Sequence, residues 1–488
     1  MRRPREALAA LLLSAAASAP LAAPSAEAPT RPCRIEGVPT ELACGAIRRP
    51  LDPARPDGPQ IEVHYLVIPA LARNKRPDPV LLLAGGPGQS AIQVAAATLP
   101  RLSRLNHRRD LVFIDQRGTG RSAPLECPDE RHLPLAESLD PQAQLQRLQQ
   151  CRTALERLPH GDLRFYTTTI AMQDFDAVRA RLGVASWNLI GASYGSRAAL
   201  EYQRQFPQHV RRSVLDGAAP PDMVLPASFS TDSQAALDAV FRACEREAAC
   251  SRRFPQLRAT WGRLLQGLPR QISMDHPVSG APQRFTLTRE MLLRSVRAPL
   301  YVPALAAALP AAIEAAAQGR FEGLAGLSGA LSGGKGARLA AGLHFSVVCA
   351  EDVPRLALAA DAPGADFGRS DEQLYTQVCK TWPRGSVPAA FYTLPAAGSP
   401  VLLLSGGADP VTPPRHGARV ARALGPQAVH VVVPEAGHGV MAVGCVRELV
   451  FRFIDRAADV AARALDAGCA TRIPRPGAFL PPQPETRP

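Results

Sequence analysis

Residues 187–197 read WNLIGASYGSR, and this stretch decides the fold. Its first four residues form an apolar run typical of a buried strand, and residues 196–206 have a helical pattern. Ser193 lies between them in the pattern Gly-x-Ser-x-Gly. Small flanking residues permit a strained turn that exposes a serine hydroxyl at the edge of a sheet. The stretch therefore predicts a strand, a tight turn and a helix, with Ser193 as the nucleophile of a hydrolase.

An acid and a histidine follow in the order that such a nucleophile requires. The apolar run 401–404 leads to Asp409, and the run 429–433 leads to His438. The chain order Ser, Asp, His, with each residue on a loop after a strand, is typical of α/β-hydrolases. His438 would take the Ser193 proton and return it to the leaving group, while Asp409 would orient the imidazole.

Asp216 is the rival acid, because it ends another apolar run and some hydrolases take their acid from this earlier strand. We favour Asp409, since its short span to His438 fits the last strand–helix–strand step of such a fold. Two plainer interpretations stay open: Asp409 as a turn residue before Pro410, and His438 as a surface loop residue.

A site for the oxyanion is predicted where the run 80–84 meets GGPG at residues 85–88. Backbone N–H groups in this turn are unshielded by side chains. We expect an N–H of Gly85 or Gly86, together with that of Tyr194, to bind the developing negative charge. The alternative is an ordinary Gly-Pro turn.

Three motifs together resemble those of a known family. They are GGPG at 85–88, DQRGTGRS at 115–122 and GASYGSR at 191–197. In this order they look like the successive motifs of the proline iminopeptidase and tripeptidyl aminopeptidase family of serine peptidases. The segments APLEC at 123–127 and VVCAED at 347–352 are closer to the secreted tripeptidyl aminopeptidase branch.

This resemblance covers most of the chain from about Cys33 to Cys469, and it departs from the family at Ala84, where many relatives carry His. It implies an exopeptidase, which must recognise a free α-amine, and buried carboxylates are the natural partners of an ammonium. Glu351 and Asp352 are the candidates for amine binding. The alternative is that they are solvated loop acids.

Asp115 and Arg117 follow another strand-like run and could contact substrate at the same sheet edge. We favour a structural role instead, because an acid and an arginine two residues apart in a Gly-rich turn commonly hold the loop through local hydrogen bonds.

The alternation of apolar runs and amphipathic stretches predicts an α/β-hydrolase fold, with helices on both faces of a mostly parallel sheet and an inserted, mainly helical cap. Residues 29–220 and 396–470 are expected to form the core, residues 221–395 the cap, and residues 471–488 a Pro-rich tail without a packing pattern.

Export is predicted from the N-terminus and the cysteines. Basic residues precede an Ala/Leu-rich run in residues 1–28, which is typical of a secretory signal peptide cleaved between Ala19 and Ala28. The ten cysteines are even in number and favour disulfides in an oxidising compartment. Short loops favour pairing in sequence order: Cys33 with Cys44, Cys127 with Cys151, Cys244 with Cys250, Cys349 with Cys379, and Cys445 with Cys469.

Several other kinds of partner are not expected. The cysteines lack zinc-ligand spacing, and the proposed chemistry requires neither a metal nor a cofactor. The formal charge of +13 comes from scattered arginines without basic-aromatic interleaving, so nucleic acid is not an expected partner. No segment after the signal peptide is long and apolar enough to span a membrane.

The sequence thus predicts an exported serine exopeptidase that removes tripeptides or single residues from peptides with a free N-terminus. A carboxylesterase or lipase-like hydrolase is the alternative among enzymes, because the same triad cleaves esters. A catalytically silent binding protein with this fold is the alternative of another class.

Overall fold

The apolar runs of the sequence become strands of a nine-stranded sheet. The computed structural model describes residues 28–130, 132–331, 338–394 and 396–482, so residues 1–27 of the predicted signal peptide lie outside the described residues. The strands in the described residues are β1 (Arg31–Cys33), β2 (Leu42–Pro50), β3 (Gln60–Ile68), β4 (Val80–Leu83), β5 (Leu111–Ile114), β6 (Trp187–Ala192), β7 (Val210–Asp216), β8 (Arg270–Asp275), β9 (Pro282–Leu287), β10 (Val401–Gly406) and β11 (Ala428–Val433).

The large sheet has the order β1-β2-β3-β5-β4-β6-β7-β10-β11. The first three strands are antiparallel to their neighbours, and the six from β5 to β11 in this order are parallel to one another. The carboxyl ends of the parallel strands therefore meet at one edge, which is where the three predicted catalytic residues lie.

Helices connect the strands. In the described residues they are α1 (Ala91–Asn106), α2 (Leu135–Ser138), α3 (Pro141–Leu155), α4 (Thr168–Arg181), α5 (Tyr194–Gln205), α6 (Leu225–Arg246), α7 (Ala248–Arg253), α8 (Leu257–Gln266), α9 (Arg289–Leu300), α10 (Pro303–Ala306), α11 (Leu309–Ala317), α12 (Glu322–Gly329), α13 (Ala341–Glu351), α14 (Ser370–Cys379), α15 (Pro414–Leu424), α16 (Val446–Asp455) and α17 (Asp459–Arg463).

Both faces of the sheet are buried, as continuous apolar strands require. Side chains alternate along each strand, so neighbours such as Leu189 and Ile190 belong to different hydrophobic clusters. Helices α1 and α16 cover the face of Ile190, and α4, α5 and α15 cover the face of Leu189. The predicted α/β architecture is confirmed.

The predicted cap, residues 221–395, lies between β7 and β10. It contains α6 to α14 and has a hydrophobic cluster of its own around Phe241 and Trp261. The cap also contains the antiparallel hairpin β8–β9, which the sequence analysis did not predict. Helix α13 contributes Leu343 and Val347 to the main core, and α14 contributes Leu374 and Val378.

All five disulfides join the cysteines in sequence order, so the predicted pairing is confirmed.

Among the described helices, none combines the length and the apolar character that crossing a bilayer demands.

Residues 473–479 of the predicted Pro-rich tail, which we call the strap, are packed although their sequence has no packing pattern. Ile473 packs against the core cluster that contains α16, while Ala478 packs against the cap cluster. The backbone N–H of Ala478 donates to Glu247 Oε2 over 3.1 Å, and that of Phe479 donates to the Ala307 carbonyl over 2.9 Å. The strap thus joins core and cap.

Candidate active site

Ser193 lies between β6 and α5 in a conformation that side chains rarely adopt, with φ of 55° and ψ of −125°. Its N–H donates to the Asp216 carbonyl over 2.8 Å, and its own carbonyl accepts from the N–H of Ser196 over 2.8 Å. The Ser196 hydroxyl reaches the same carbonyl at 2.5 Å. These bonds hold the strained turn that the sequence predicted.

Two glycines make this turn possible because backbone carbonyl groups approach them closely. A Cβ at Gly195 would lie 2.1 Å from the Leu83 carbonyl oxygen, and one at Gly191 would lie 2.2 Å from the Gly195 carbonyl oxygen. Neither position has room for a methyl group. The turn around Ser193, which we call the elbow, therefore packs directly against the end of β4. The loop of residues 85–88, which we call the Gly85 loop, begins there.

Asp409 and His438 come together on the loops after β10 and β11. His438 Nδ1 lies 2.8 Å from Asp409 Oδ2. Asp409 Oδ1 accepts the N–H groups of Val411 and Thr412, each over 2.9 Å. The backbone N–H of His438 donates to the Tyr301 carbonyl over 2.9 Å, which anchors the histidine to the cap.

The electrostatics of the pair favour charge separation. Burial by itself lowers the pKa of His438, but attraction to the Asp409 carboxylate and the hydrogen bond to it outweigh burial, so the His438 pKa is raised. Burial alone would raise the pKa of Asp409, yet the histidine and the two backbone N–H groups hold that pKa below its usual value. An imidazolium at His438 is thereby stabilised.

Thr412 completes this arrangement, although the sequence analysis missed it. Its hydroxyl donates to Asp409 Oδ2 over 2.8 Å and lies 3.1 Å from His438 Nδ1. The spacing from Asp409 to a threonine three residues later is typical of a turn in which the acid caps following N–H groups. That signal could have identified it.

Ser193 and His438 do not hydrogen-bond each other in the structure of the described residues. Ser193 borders a small cavity of about 50 Å³, while His438 borders a cleft of about 840 Å³, and Tyr301 lines both. Catalytic hydrogen bonds are often absent without substrate and form in the reacting complex. All three predicted catalytic residues nevertheless lie on adjacent loops at one edge of the sheet.

The Gly85 loop lies directly against the elbow. A Cβ at Gly85 would be 3.4 Å from Ser193 Cβ, and the Gly85 N–H has only a long hydrogen bond of 3.4 Å to Gln89 Oε1. Tyr194 is the first residue of α5, so its N–H has no acceptor within that helix. The structure thus places both predicted sources of oxyanion donors beside Ser193.

The cap holds the next part of this loop. His344 on α13 has Nδ1 3.2 Å from the Pro87 carbonyl oxygen and Nε2 2.7 Å from the Tyr375 hydroxyl. Burial lowers the pKa of His344, which favours a neutral ring that donates at Nδ1 and accepts at Nε2. The cap therefore fixes the Gly85 loop at Pro87.

Glu351 and Asp352 are fully buried and paired with Arg197. Arg197 donates to both Asp352 oxygens, over 2.9 and 3.1 Å, and its Nη1 lies 3.6 Å from Glu351 Oε2. Glu351 also accepts the Thr168 N–H over 2.7 Å. Arg197 lines the small cavity beside Ser193, whereas neither carboxylate does. Burial raises the pKa of Glu351 to about 7.

Asp115 and Arg117 are buried and have different partners. Asp115 holds its own loop by accepting the Arg121 N–H over 3.3 Å, and it also accepts the hydroxyl of Ser90 at the start of α1 over 2.6 Å. Arg117 instead makes a two-pronged ion pair with Asp174 on α4, over 2.7 and 2.9 Å. The structural interpretation fits both, although the contact of Arg117 is not local as expected.

The larger cleft is mostly apolar and runs from His438 past α1 to the strap, whose residues Ile473, Pro474 and Pro476 form part of its wall. Among the residues that the structure describes, no three His, Cys, Asp or Glu side chains are grouped to hold a metal ion.

These observations of sheet, elbow and loops agree with comparison to known proteins. A family model described as alpha/beta hydrolase fold matches residues 78–444. The chain belongs to the α/β-hydrolase fold family. The match extends from just before β4 to just beyond His438, so it includes Ser193, Asp409, His438 and the Gly85 loop.

Three relatives of this α/β-hydrolase are informative. It is 30% identical to the tripeptidyl aminopeptidase of Streptomyces coelicolor over 201 residues, 38% of this chain and 36% of that protein. It is 31% identical to serine protease Hip1 of Mycobacterium tuberculosis over 209 residues, 39% of each chain. A match to carboxylesterase B of Mycobacterium tuberculosis is 27% identical over 431 residues, 78% of each chain. The chain thus spans less than two fifths of the first two relatives.

Proposed function

We propose that this α/β-hydrolase is an exported serine exopeptidase that releases N-terminal tripeptides or single residues through an acyl-enzyme on Ser193. The observation that carries the proposal is the 2.8 Å hydrogen bond between Asp409 and His438 at the sheet edge that bears the strained Ser193. Relatives named tripeptidyl aminopeptidase and serine protease support peptide substrates.

In this proposal His438 Nε2 removes the proton from the Ser193 hydroxyl as its oxygen attacks the scissile carbonyl carbon. Asp409 fixes the ring with hydrogen on Nδ1 and stabilises the resulting imidazolium. The imidazolium then protonates the leaving amine, and the acyl group remains on Ser193. Water attacks the ester by the same route in reverse and restores the enzyme.

The tetrahedral oxyanion is assigned to backbone N–H groups of Tyr194 and of Gly85 or Gly86. Rigid donors beside the nucleophile stabilise charge that develops only in the transition state. The closeness of Gly85 to Ser193 and the clamp on the loop by His344 support this assignment.

Recognition of the free amine is assigned to the cluster of Glu351 and Asp352 with Arg197. Asp352 balances the charge of Arg197 through their ion pair. Glu351, whose pKa is about 7, makes the cluster net negative once it is ionised and would then attract an ammonium bound in the adjoining cavity. A Glu351→Gln variant should lose preference for free-amine over N-acetylated substrate, about tenfold, mainly through KM. An unchanged preference would remove the cluster from amine recognition.

Export is proposed from the predicted signal peptide, and the five disulfides agree with an oxidising compartment. Fractionation of cells that produce the full chain, followed by N-terminal sequencing of the mature protein, tests it. Retention in the cytoplasm with residue 1 intact would contradict export.

The first experiment compares a tripeptide amide reporter that has a free amine with its N-acetylated twin, using the oxidised protein and Ser193→Ala as the blank. Cleavage of the free-amine substrate alone, abolished in the variant, is expected. Equal cleavage of both peptides would exclude an exopeptidase.

A carboxylesterase is the second candidate, because the longer match to carboxylesterase B favours it. Turnover of simple esters without turnover of either peptide would establish that alternative. A silent binding protein would show neither activity, and a fluorophosphonate would not label Ser193.

A further inference from the structure

Asp216 occupies the end of β7 beside the site and takes no part in the mechanism above. It is 4% exposed. Its two carboxylate oxygens accept one backbone N–H each, from Val440 over 2.8 Å and from Met441 over 2.9 Å. These residues follow His438 almost directly, so the carboxylate holds the loop that carries the proposed base.

The backbone of Asp216 holds the nucleophile as well. Its carbonyl oxygen accepts the N–H of Ser193 over 2.8 Å, at the residue whose φ is positive. The following residue, Gly217, is bonded to Leu404 of β10 over 2.9 Å. One rigid residue at a strand end therefore determines the position of both Ser193 and the His438 loop.

The buried carboxyl group of Asp216 has no ion-pair partner among the described residues. Within the described part of the chain, no arginine, lysine or histidine forms an ion pair with its carboxylate, and two neutral N–H groups compensate only part of the cost of burying a charge. Burial raises its pKa, and attraction to His438 opposes that rise.

Asp409, Asp216 and Tyr301 are titratable groups beside His438. Asp409 occupies Nδ1, so Asp216 is not the acid that orients the ring. Burial raises the pKa of Tyr301 to about 12, so its phenol is neutral near pH 7. The imidazolium formed at His438 in each proton transfer is therefore the cation that Asp216 can stabilise.

We propose that Asp216 is a positioning residue of the proposed hydrolysis, which fixes the His438 loop relative to Ser193 and supplies a second negative charge to the imidazolium. The inference rests on the proposed function of the triad and does not depend on whether the substrate is a peptide or an ester. Asp216, the alternative acid of the sequence analysis, would therefore act together with Asp409 and not replace it.

The test uses Asp216→Asn, with Asp115→Asn as the matched control. Asp115 is equally buried, lies at the end of β5 and also accepts loop N–H groups, but it does not face His438. Both variants should lose thermal stability. The readouts are the rate of fluorophosphonate labelling of Ser193 and the pH dependence of kcat/KM with whichever substrate the wild type hydrolyses best.

Asp216→Asn should slow labelling about tenfold and move the acid limb of kcat/KM to lower pH by about half a unit, because loss of a negative charge lowers the His438 pKa. Asp115→Asn should leave the acid limb in place. An unmoved limb in Asp216→Asn, or an equal shift in both variants, would overturn the proposal.

A second measurement keeps the inference separate from the proposed function. The His438 pKa can be followed by NMR of selectively labelled histidine in the wild type and both variants, whether or not any substrate is cleaved. A lower His438 pKa in Asp216→Asn alone is expected. If the wild type is inactive but this shift occurs, the proposed function fails while the electrostatic role of Asp216 stands.

Discussion

Thr412 donates its hydroxyl hydrogen to Asp409 Oδ2, the same oxygen that lies 2.8 Å from His438 Nδ1. Two donors thus meet on one carboxylate oxygen, and Thr412 limits how far the Asp409 side chain can rotate away from the ring. Asp409 is further fixed by the N–H groups of Val411 and of Thr412 itself. The orientation of the proposed base therefore depends on a residue without acid–base chemistry.

Replacing Thr412 by Val should lower kcat/KM by about tenfold, because the Asp409 oxygen loses one hydrogen bond while side-chain volume is kept. Thr412→Ser retains the hydroxyl and is the control. Steady-state kinetics on the best substrate measures both. An unchanged kcat/KM in Thr412→Val would contradict this role of the hydroxyl.

The pH dependence of activity follows from the raised pKa of His438. The base must be neutral, and a raised pKa keeps it protonated to higher pH, so activity should fall as pH drops through a midpoint above the ordinary 6.5. A kcat/KM profile with its acid midpoint below 6.5 in the wild type would contradict the electrostatics described above.

Asp409→Asn should lower kcat about a thousandfold or more.

His344→Phe should lower kcat about tenfold with little change in KM, because the Pro87 carbonyl is released while ring volume is kept. A less rigid oxyanion loop loses stabilisation of the transition state rather than of bound substrate. Tyr375→Phe removes only the bond to Nε2 and should have a smaller effect. A change confined to KM would indicate that His344 acts on substrate binding.

Gly195→Ala should abolish activity and reduce the melting temperature, because its methyl carbon would lie 2.1 Å from the Leu83 carbonyl oxygen. Gly262→Ala is the control, since that glycine lies in α8 with open space at the Cβ position. Alanine in a helix interior should stabilise the protein by about 0.5–1 kcal/mol there. A Gly195→Ala protein with wild-type melting and activity would mean that β4 can move away from the elbow.

Much of the fold could be predicted because its signals are local. The apolar run before Ser193 and the small residues around it specify a strand and a turn within about ten positions, and helix α5 begins within two residues of its expected start. The disulfide pairing followed from short loops between neighbouring cysteines in the chain. Such patterns need no knowledge of distant contacts.

The remaining features depend on long-range contacts that no local pattern contains. Arg117 pairs with an aspartate 57 positions away, and Arg197 with one 155 positions away. The role of Asp216 became visible only through its contact with Val440, 224 positions later. The packing of the strap could not be predicted from its proline-rich composition, because its two hydrogen bonds to the cap use backbone N–H groups.

The strap also constrains when the cleft can be completed. Ribosomes synthesise residues 473–479 after every strand of the sheet and every helix of the cap, and these residues form one wall of the cleft beside His438. A nascent chain that already contains Ser193, Asp409 and His438 still lacks that wall. The order of synthesis therefore delays the finished cleft until both the core and the cap have been made.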